Sequence, residues 1–592
     1  MNQYVMSINP TVSGLGTHDP SAVLLNDGEV VFGVEEERYT RQKHAIETFP
    51  EQAIRACLDA ADISLSDVSV VTVPWDPNRF RGGTVDALRL GLAQSDGFFE
   101  RIEQTGWRLK TELTPWMLGR RVIEDRLREI DRSIPPIEMH GHHASHAASA
   151  FYPTSFDEAL ILTLDARGES EATSIWRGTE AGLERLRTYD YTNSLGYFYG
   201  AVTKFLGFYP NNGEGKVMGL APYGEKNRDI RGTLRDEVET GIDYDVSSLS
   251  QLSFEHGARR IEELFDRPRK TSSEEFTQWE KDLAFEAQAL VEEIVTDIVE
   301  TYCARLGTGN VGLAGGVALN CKMNKQVMEL DCVDELFIQP VSNDAGSAIG
   351  AGMLEYGPQE VAPTDTVYWG PGYSTAEIEE RLQVNKIDYT KPDDLTSLVA
   401  EKLAEGALVG WFQGRLEMGP RALGNRSILA DPRTTDSLDR VNEFVKHREA
   451  WRPFAPSMLA EAGPEYLENS EESSYMIKTF DPKPEKRDNI AAVLHPADQT
   501  TRPQTVRPDQ NARYHELIEE FERITGVPVV LNTSFNDHGE PIINTPTEAL
   551  KDFYGMGLDV LVLEDILVEK EDIESDHSEQ RVTAESTGQT TD

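Results

Sequence analysis

The apolar positions of this chain fall into two alternating rhythms. YVMSINP (4–10) and SAVLLNDGEVVFGVEEE (21–37) carry apolar runs of strand length, and Asp27-Gly28 between two of them is a two-residue hairpin signal. VSVVTVPW adds a strand, after which residues 77–133 space their apolar side chains at helical intervals and read as an inserted helical region. ALILTLDA and ATSIWRG open a second β stretch, followed by helical spacing around 193–206 and 275–305. VGLAGGVALN and ELFIQPVSNDAGSAIGAG each run from a strand into a Gly-rich turn and on towards a helix. Strands alternating with helices predict an α/β chain with a mixed, partly parallel sheet. YGPQEVAPTDTVYWGPGYS, near 355–374, is rich in Pro, Gly and Thr, and a fresh α/β pattern follows it. A boundary there gives one domain over 1–360 and a second over 361–570. Residues 571–592 are polar and are expected to form a disordered acidic tail, and no repeat of fixed short period is visible.

At 592 residues the chain is long enough for several lobes and a sizeable core. Charge narrows the function: Lys+Arg 57 against Asp+Glu 102 gives −45, which disfavours nucleic-acid binding through a broad basic face and a polybasic membrane anchor. The acids are spread along the chain and Arg outnumbers Lys, a pattern that suggests a halophilic, whole-surface adaptation. Mean hydropathy is −0.45. No apolar run reaches the ~18 residues of a membrane helix, and MNQYVMSINP lacks the basic-then-apolar order of a secretion signal. Cys57, Cys303, Cys321 and Cys332 form no CxxC pair, which leaves neither a disulfide framework nor a zinc ribbon and fits a reducing cytoplasm.

The densest chemical signal is HGHHASHAAS, which holds four of the 12 histidines between His140 and His146. On a helix His142 and His146 share one face, the spacing two imidazoles need to hold one metal. A polar helix end whose histidines cap or hydrogen-bond has the same pattern. Asp165 closes ALILTLDA and Asp344 sits in the turn SNDAGSAIGAG, so both carboxylates are placed to complete a His2Asp2 site, or to cap turns. Four Gly-rich segments (14–22, 213–224, 313–320, 342–352) offer backbone amides to phosphates, or simply tight turns; none is a P-loop or dinucleotide fingerprint. From Arg415 to Arg452 eight basic residues stand against six acids, about twice the chain's average basicity. Gly-Pro before Arg421 and Gly-Asn before Arg426 predict turn-borne guanidinium groups for a small anion, against the alternative of structural ion pairs. LNTSFNDHGEPI (531–542) adds hydroxyl and amide donors after a strand.

THDPSA, EEERYTRQKHAIETFP, HHASHAASAFYPTSF, EGKVMGLAPYG, GGVALNCKMN, GPRALGNRSILADPR, WRPFAPSM and LNTSFNDHGEPI together resemble, in order over about 4–570, the O-carbamoyltransferases of the NodU/CmcH type from nodulation-factor and antibiotic biosynthesis. The resemblance implies an actin-like/HSP70-like ATPase (ASKHA) N-terminal domain with a helical insertion and an α/β YrdC-like C-terminal domain. It implies that ATP and carbamoyl phosphate, with Mg2+, yield carbamoyl-adenylate in the second domain, for transfer to a hydroxyl of a small-molecule acceptor at the first. It assigns His142, His146, Asp165 and Asp344 to an iron(II) centre. Asp19 and Lys43 fall near the nucleotide, with Gly315, Gly316 and Asn320 in a phosphate-cradling turn. Arg421, Lys446, Arg452 and Ser534 fall on carbamoyl phosphate and ATP, and Arg507 more loosely with them. His143, flanking the ligands, is the candidate to take the acceptor's proton, against a buried structural role. A homodimer fits the family.

Three other readings are weighed. A tRNA threonylcarbamoyl-adenosine-type enzyme needs a positive RNA track, which −45 opposes. A hydrogenase-maturation carbamoyltransferase needs Cys-rich zinc modules, which four scattered cysteines do not supply. A non-catalytic nucleotide-switch protein would have no need of the full metal set and the basic cluster.

Overall fold

Asp27 and Gly28 turn the chain as expected, with φ of 47° and 83°, the two left-handed residues that a tight hairpin between strands requires. The computed structural model describes residues 3–81, 98–250, 253–271, 275–446, 449 and 451–570. The predicted tail and residues 82–97 of the predicted helical region lie outside them. Within that region Phe98–Ile130 is a helix, and the two later helical stretches are Leu195–Phe205 and Gln278–Leu306.

Strands β1 (Tyr4–Asn9), β2 (Ser21–Asn26), β3 (Glu29–Glu35), β4 (Val70–Val73) and β5 (Ile137–Met139) form one sheet in the order β3-β2-β1-β4-β5. The hairpin strands pair antiparallel, whereas β1, β4 and β5 run parallel. Strands β6 (Glu158–Leu164), β7 (Glu171–Thr179), β8 (Gly182–Asp190), β9 (Asn310–Ala314) and β10 (Glu335–Ile338) form a second sheet, β8-β7-β6-β9-β10. Here too the first three strands are antiparallel, and the fourth and fifth parallel to the first. The topology is thus duplicated, a repeat that the residue pattern does not display.

Each fifth strand leads to a 10-residue helix, His142–Phe151 after β5 and Asp344–Met353 after β10. Both helices are buried in one apolar layer with side chains of the two sheets, among them Val5, Val23, Ile161 and Trp176. Small residues permit their close crossing: a Cβ on Gly350 would stand 1.7 Å from the Ser145 carbonyl oxygen of the other helix. Of the glycines of SNDAGSAIGAG, Gly350 thus serves the helix crossing, whereas Gly346 packs on the preceding turn and Gly352 on Leu25 and Ser7 of the first sheet.

No helix or strand forms between Met353 and Thr375. Beyond it β11 (Val409–Phe412), β12 (Arg426–Ala430), β13 (Ala455–Leu459), β14 (Gln504–Val506), β15 (Val529–Ser534), β16 (Val560–Leu563) and β17 (Ile566–Glu569) build a mixed sheet with its own core, ordered β14-β13-β15-β12-β11-β16-β17. Gly350→Ala is expected to lower the unfolding free energy by about 1–3 kcal/mol by overpacking the helix crossing. An unchanged midpoint in guanidinium titration would contradict this account.

Candidate functional site

The His142–Phe151 helix starts two residues after β5, so His142 and His146 project from one face of its first turns, both buried. Asp165 directly follows β6, and Asp344 is the first residue of the second crossing helix. These four side chains meet, with ligand atoms all within 4.8 Å of one another. His142 Nε2 lies 3.1 Å from His146 Nε2, 3.3 Å from Asp165 Oδ2 and 3.6 Å from Asp344 Oδ1. Two nitrogens held about 2.1 Å from one ion at a right angle stand about 3.0 Å apart, so the spacing suits a shared cation. An imidazole and carboxylate set without thiolate suits a divalent first-row transition ion.

Burial, reinforced by His146, pushes His142 down to about 3, the neutral form a ligand needs. Burial and the adjacent Asp165 push Asp344 up to about 7. For Asp165 burial is outweighed by hydrogen bonds from His142 and His146, which hold its carboxyl well below the usual range. Trp75, at the end of β4, stacks on His142 at 4.0 Å and fixes the ring by packing. Glu169 accepts from the amides of His142 (3.0 Å) and Asp76 (2.8 Å), pinning the start of the helix. Gly315, at φ 91°, passes so close to β6 that a Cβ would stand 2.2 Å from the Leu164 carbonyl, and Gly316 lies against Asp165.

A second feature is a cavity of about 290 Å³ between segments of the first 330 residues and the third sheet. Lys43, Lys322, Arg421, Arg452 and Arg502 line it; among the described residues no carboxylate lines it, although Asp498 pairs with Lys322 and Glu449 faces Arg452 at 3.5 Å from outside the lining. In a chain of net charge −45 this is a marked local reversal. Burial lowers Arg421, and the neighbouring Arg502 and Arg452 lower it further; Arg452, Arg502 and Lys43 are lowered by burial in turn. Arg421 Nε and Thr479 Oγ1, both donors, are buried there without a hydrogen-bond partner. Crowded cations and unmatched polar atoms describe a site completed by an anion.

Between the two features stands Asp19. Its carboxylate meets His44 Nδ1 at 2.7 Å and His18 Nδ1 at 3.0 Å, and accepts from Asn343 Nδ2 at 2.9 Å. Burial would lower His18, but Asp19 prevails and raises it to about 10. The chain around His44 is strained: Arg41, His44, Ala45 and Glu47 have φ of 59°, 65°, 35° and 51°. Left-handed non-glycine residues cost on the order of 1–3 kcal/mol each and collect at functional sites.

Arg421, Arg452, Ser534 and Lys43 all line the cavity. Lys446 stands behind it, donating to the carbonyls of Ser534 (2.6 Å) and Asn536 (3.0 Å). Asn320 caps the Cys321–Met328 helix, accepting from the Met323 amide, and bonds Gln288. His143 has both nitrogens engaged, with Thr163 Oγ1 at 2.7 Å and the Glu171 carbonyl at 3.1 Å, which corrects its reading as a proton acceptor. Arg507 pairs with Glu472 (2.6 Å) and Asp509 (3.1 Å), away from the cavity. Arg426 is also corrected: fully buried, it lies 3.6 Å over the Phe412 ring and donates to the Gln413, Gly414 and Pro371 carbonyls. Arg433 and Arg440 are spent on Asp431 and Asp559. Arg502 and Lys322 also line the cavity without an assignment from the sequence: Arg502 stands in no motif, and Lys322 lies within GGVALNCKMN, of which Gly315, Gly316 and Asn320 alone are assigned.

Two measurements check these sites. Cobalt(II), followed by its visible absorbance, is expected to bind the wild type and to lose more than about 100-fold in affinity in His142→Ala, beyond the usual cost of changing an outer-shell partner. Phosphate is expected to raise the melting temperature of the wild type and to do so far less in Arg421→Ala. Equal responses would remove Arg421 from the anion site.

Family models place these features in a known group. Residues 11–353 match the carbamoyltransferase N-terminus and 400–570 the carbamoyltransferase C-terminus. An uncharacterised Synechocystis protein is 37% identical over 93% of this chain and 95% of its own length. Nodulation protein NolNO of Sinorhizobium fredii is 36% identical over 93% of this chain and 79% of its own. Nodulation protein NolO of Bradyrhizobium diazoefficiens is 36% identical over 72% of this chain and 78% of its own. The chain, matching both parts in order, belongs to the carbamoyltransferase family and is a carbamoyltransferase.

Proposed function

We propose that the protein is an ATP-dependent O-carbamoyltransferase. In this reading water hydrolyses carbamoyl phosphate in the cationic cavity to carbamate and phosphate, and a carbamate oxygen then attacks the α-phosphorus of ATP, giving carbamoyl-adenylate and releasing pyrophosphate. A hydroxyl of a small-molecule acceptor then attacks the carbamoyl carbon, AMP leaves, and the hydroxyl proton is lost. The observation that carries it is the cavity's five cations without a lining carboxylate. Guanidinium and ammonium groups there would offset the charge of both phosphate substrates, and Mg2+ would bridge the triphosphate. Activation as a mixed anhydride is needed because carbamate by itself has a poor leaving group, whereas AMP is a good one.

The residues that would hold the metal are His142, His146, Asp165 and Asp344, with iron(II) the proposed ion. When bound, the metal supplies Lewis-acid polarisation of the adenylate's carbonyl or phosphate. The duplicated sheets support an actin-like domain over 1–360, and the separate mixed sheet is compatible with a YrdC-like domain over 361–570. Among the described residues no helix is long and apolar enough to cross a membrane; a cytoplasmic setting is part of the proposal.

The test follows pyrophosphate release without acceptor, in high salt with Mg2+ and iron(II). Release that depends on carbamoyl phosphate is expected. Arg421→Ala should abolish it, whereas His142→Ala should retain it and block carbamoyl transfer to acceptor. Equal loss of release in both variants would overturn the two-site scheme, and none from the wild type would overturn the activation chemistry.

A further inference from the structure

Residues 41–47 line the cavity through Lys43 and approach the metal cluster only through Asp19 and Asn343. Lys43 lines the cationic cavity, while the next residue, His44, binds Asp19, whose other oxygen accepts from Asn343, the neighbour of Asp344. Four of the seven residues are left-handed without being glycine, so the conformation is held from outside. The holding contacts are few and identifiable. Glu37 accepts from the His44 amide at 2.5 Å, and the Glu47 amide donates to the Thr17 carbonyl at 3.2 Å. Arg41 fastens the other end across the molecule, donating to the carbonyls of Ile542 and Pro541 at 2.8 Å each and facing Glu540 and Glu548 at 3.5 Å. The loop it grips continues from Ser534, which lines the cavity.

We propose that Arg41–Glu47 is a strained strap coupling anion binding in the cavity to metal binding at the His142/Asp344 centre, and that Arg41 is the positioning residue fastening it. An anion drawing on Lys43 displaces His44 along the same backbone. Asp19 and Asn343 then transmit the shift to the start of the Asp344 helix. Metal binding acts back on Lys43 by the same factor, since binding linkage is reciprocal. The inference rests on the anion and metal assignments of the proposed function but not on the reaction proposed for them.

The test uses the full-length protein and two simple probes, cobalt(II) at a free concentration fixed by a metal buffer and inorganic sulfate, which complexes cobalt only weakly. In the wild type, saturating sulfate is expected to change the cobalt(II) dissociation constant by about fivefold or more. Arg41→Ala should still bind each probe alone, with the change reduced to less than about twofold. Arg41→Lys, which keeps the charge but not the fork that reaches two carbonyls, should show intermediate coupling. A purely structural Arg41 would alter melting temperature and leave the linkage intact. No linkage in the wild type, or full linkage in Arg41→Ala, overturns the proposal. If Arg41→Ala does not fold, full wild-type linkage in Arg41→Lys overturns it instead. Pyrophosphate release assayed alongside separates the two ideas: linkage without release removes the proposed reaction and leaves the strap, and release without linkage removes the strap alone.

Discussion

The close crossing of two small-residue helices is the constraint on which the rest of this molecule depends. At the Gly350–Ser145 approach one methyl group is too much, so the helices sit at a fixed depth between their sheets. That depth brings His142 and His146, from one helix, against Asp344 at the start of the other. Neither helix could present such a set alone, since an HxxxH face supplies two ligands and the carboxylates must come from separate strand ends.

Electrostatics works in the opposite sense at the two sites. The metal centre gathers carboxylates and keeps the His142 imidazole neutral by burial. The cavity gathers cations against an acidic background and leaves two buried donors unmatched. Both are poor arrangements for an unliganded protein, and both are relieved by charge of the missing sign. Asp19, His44 and Lys43 stand where these two fields meet.

Much of this was legible in the sequence where the signal is local. Asp27-Gly28 specified a hairpin because few residues adopt two successive left-handed conformations, and His142 and His146 specified one helix face by spacing. Arg426 misled because its flanking Gly and Asn read as an exposed turn. Its orientation is set instead by strand register against β11 and the Phe412 ring, which no neighbour in sequence reveals. Arg502 carries no local signal for a related reason, and Lys322 stands in GGVALNCKMN without its role being readable there: the cavity is assembled from segments hundreds of residues apart. The duplicated topology was equally hidden, since strand order is a property of pairing and not of residue pattern.

That dispersal bears on biosynthesis. All four residues of the metal cluster precede position 345, whereas the cavity needs Arg421, Arg452, Arg502 and finally Ser534. A chain emerging from the ribosome N-terminus first can complete the former while nearly two hundred residues of the latter are still to be made. The order in which translation delivers the two centres is therefore the reverse of the order in which the proposed reaction would use them.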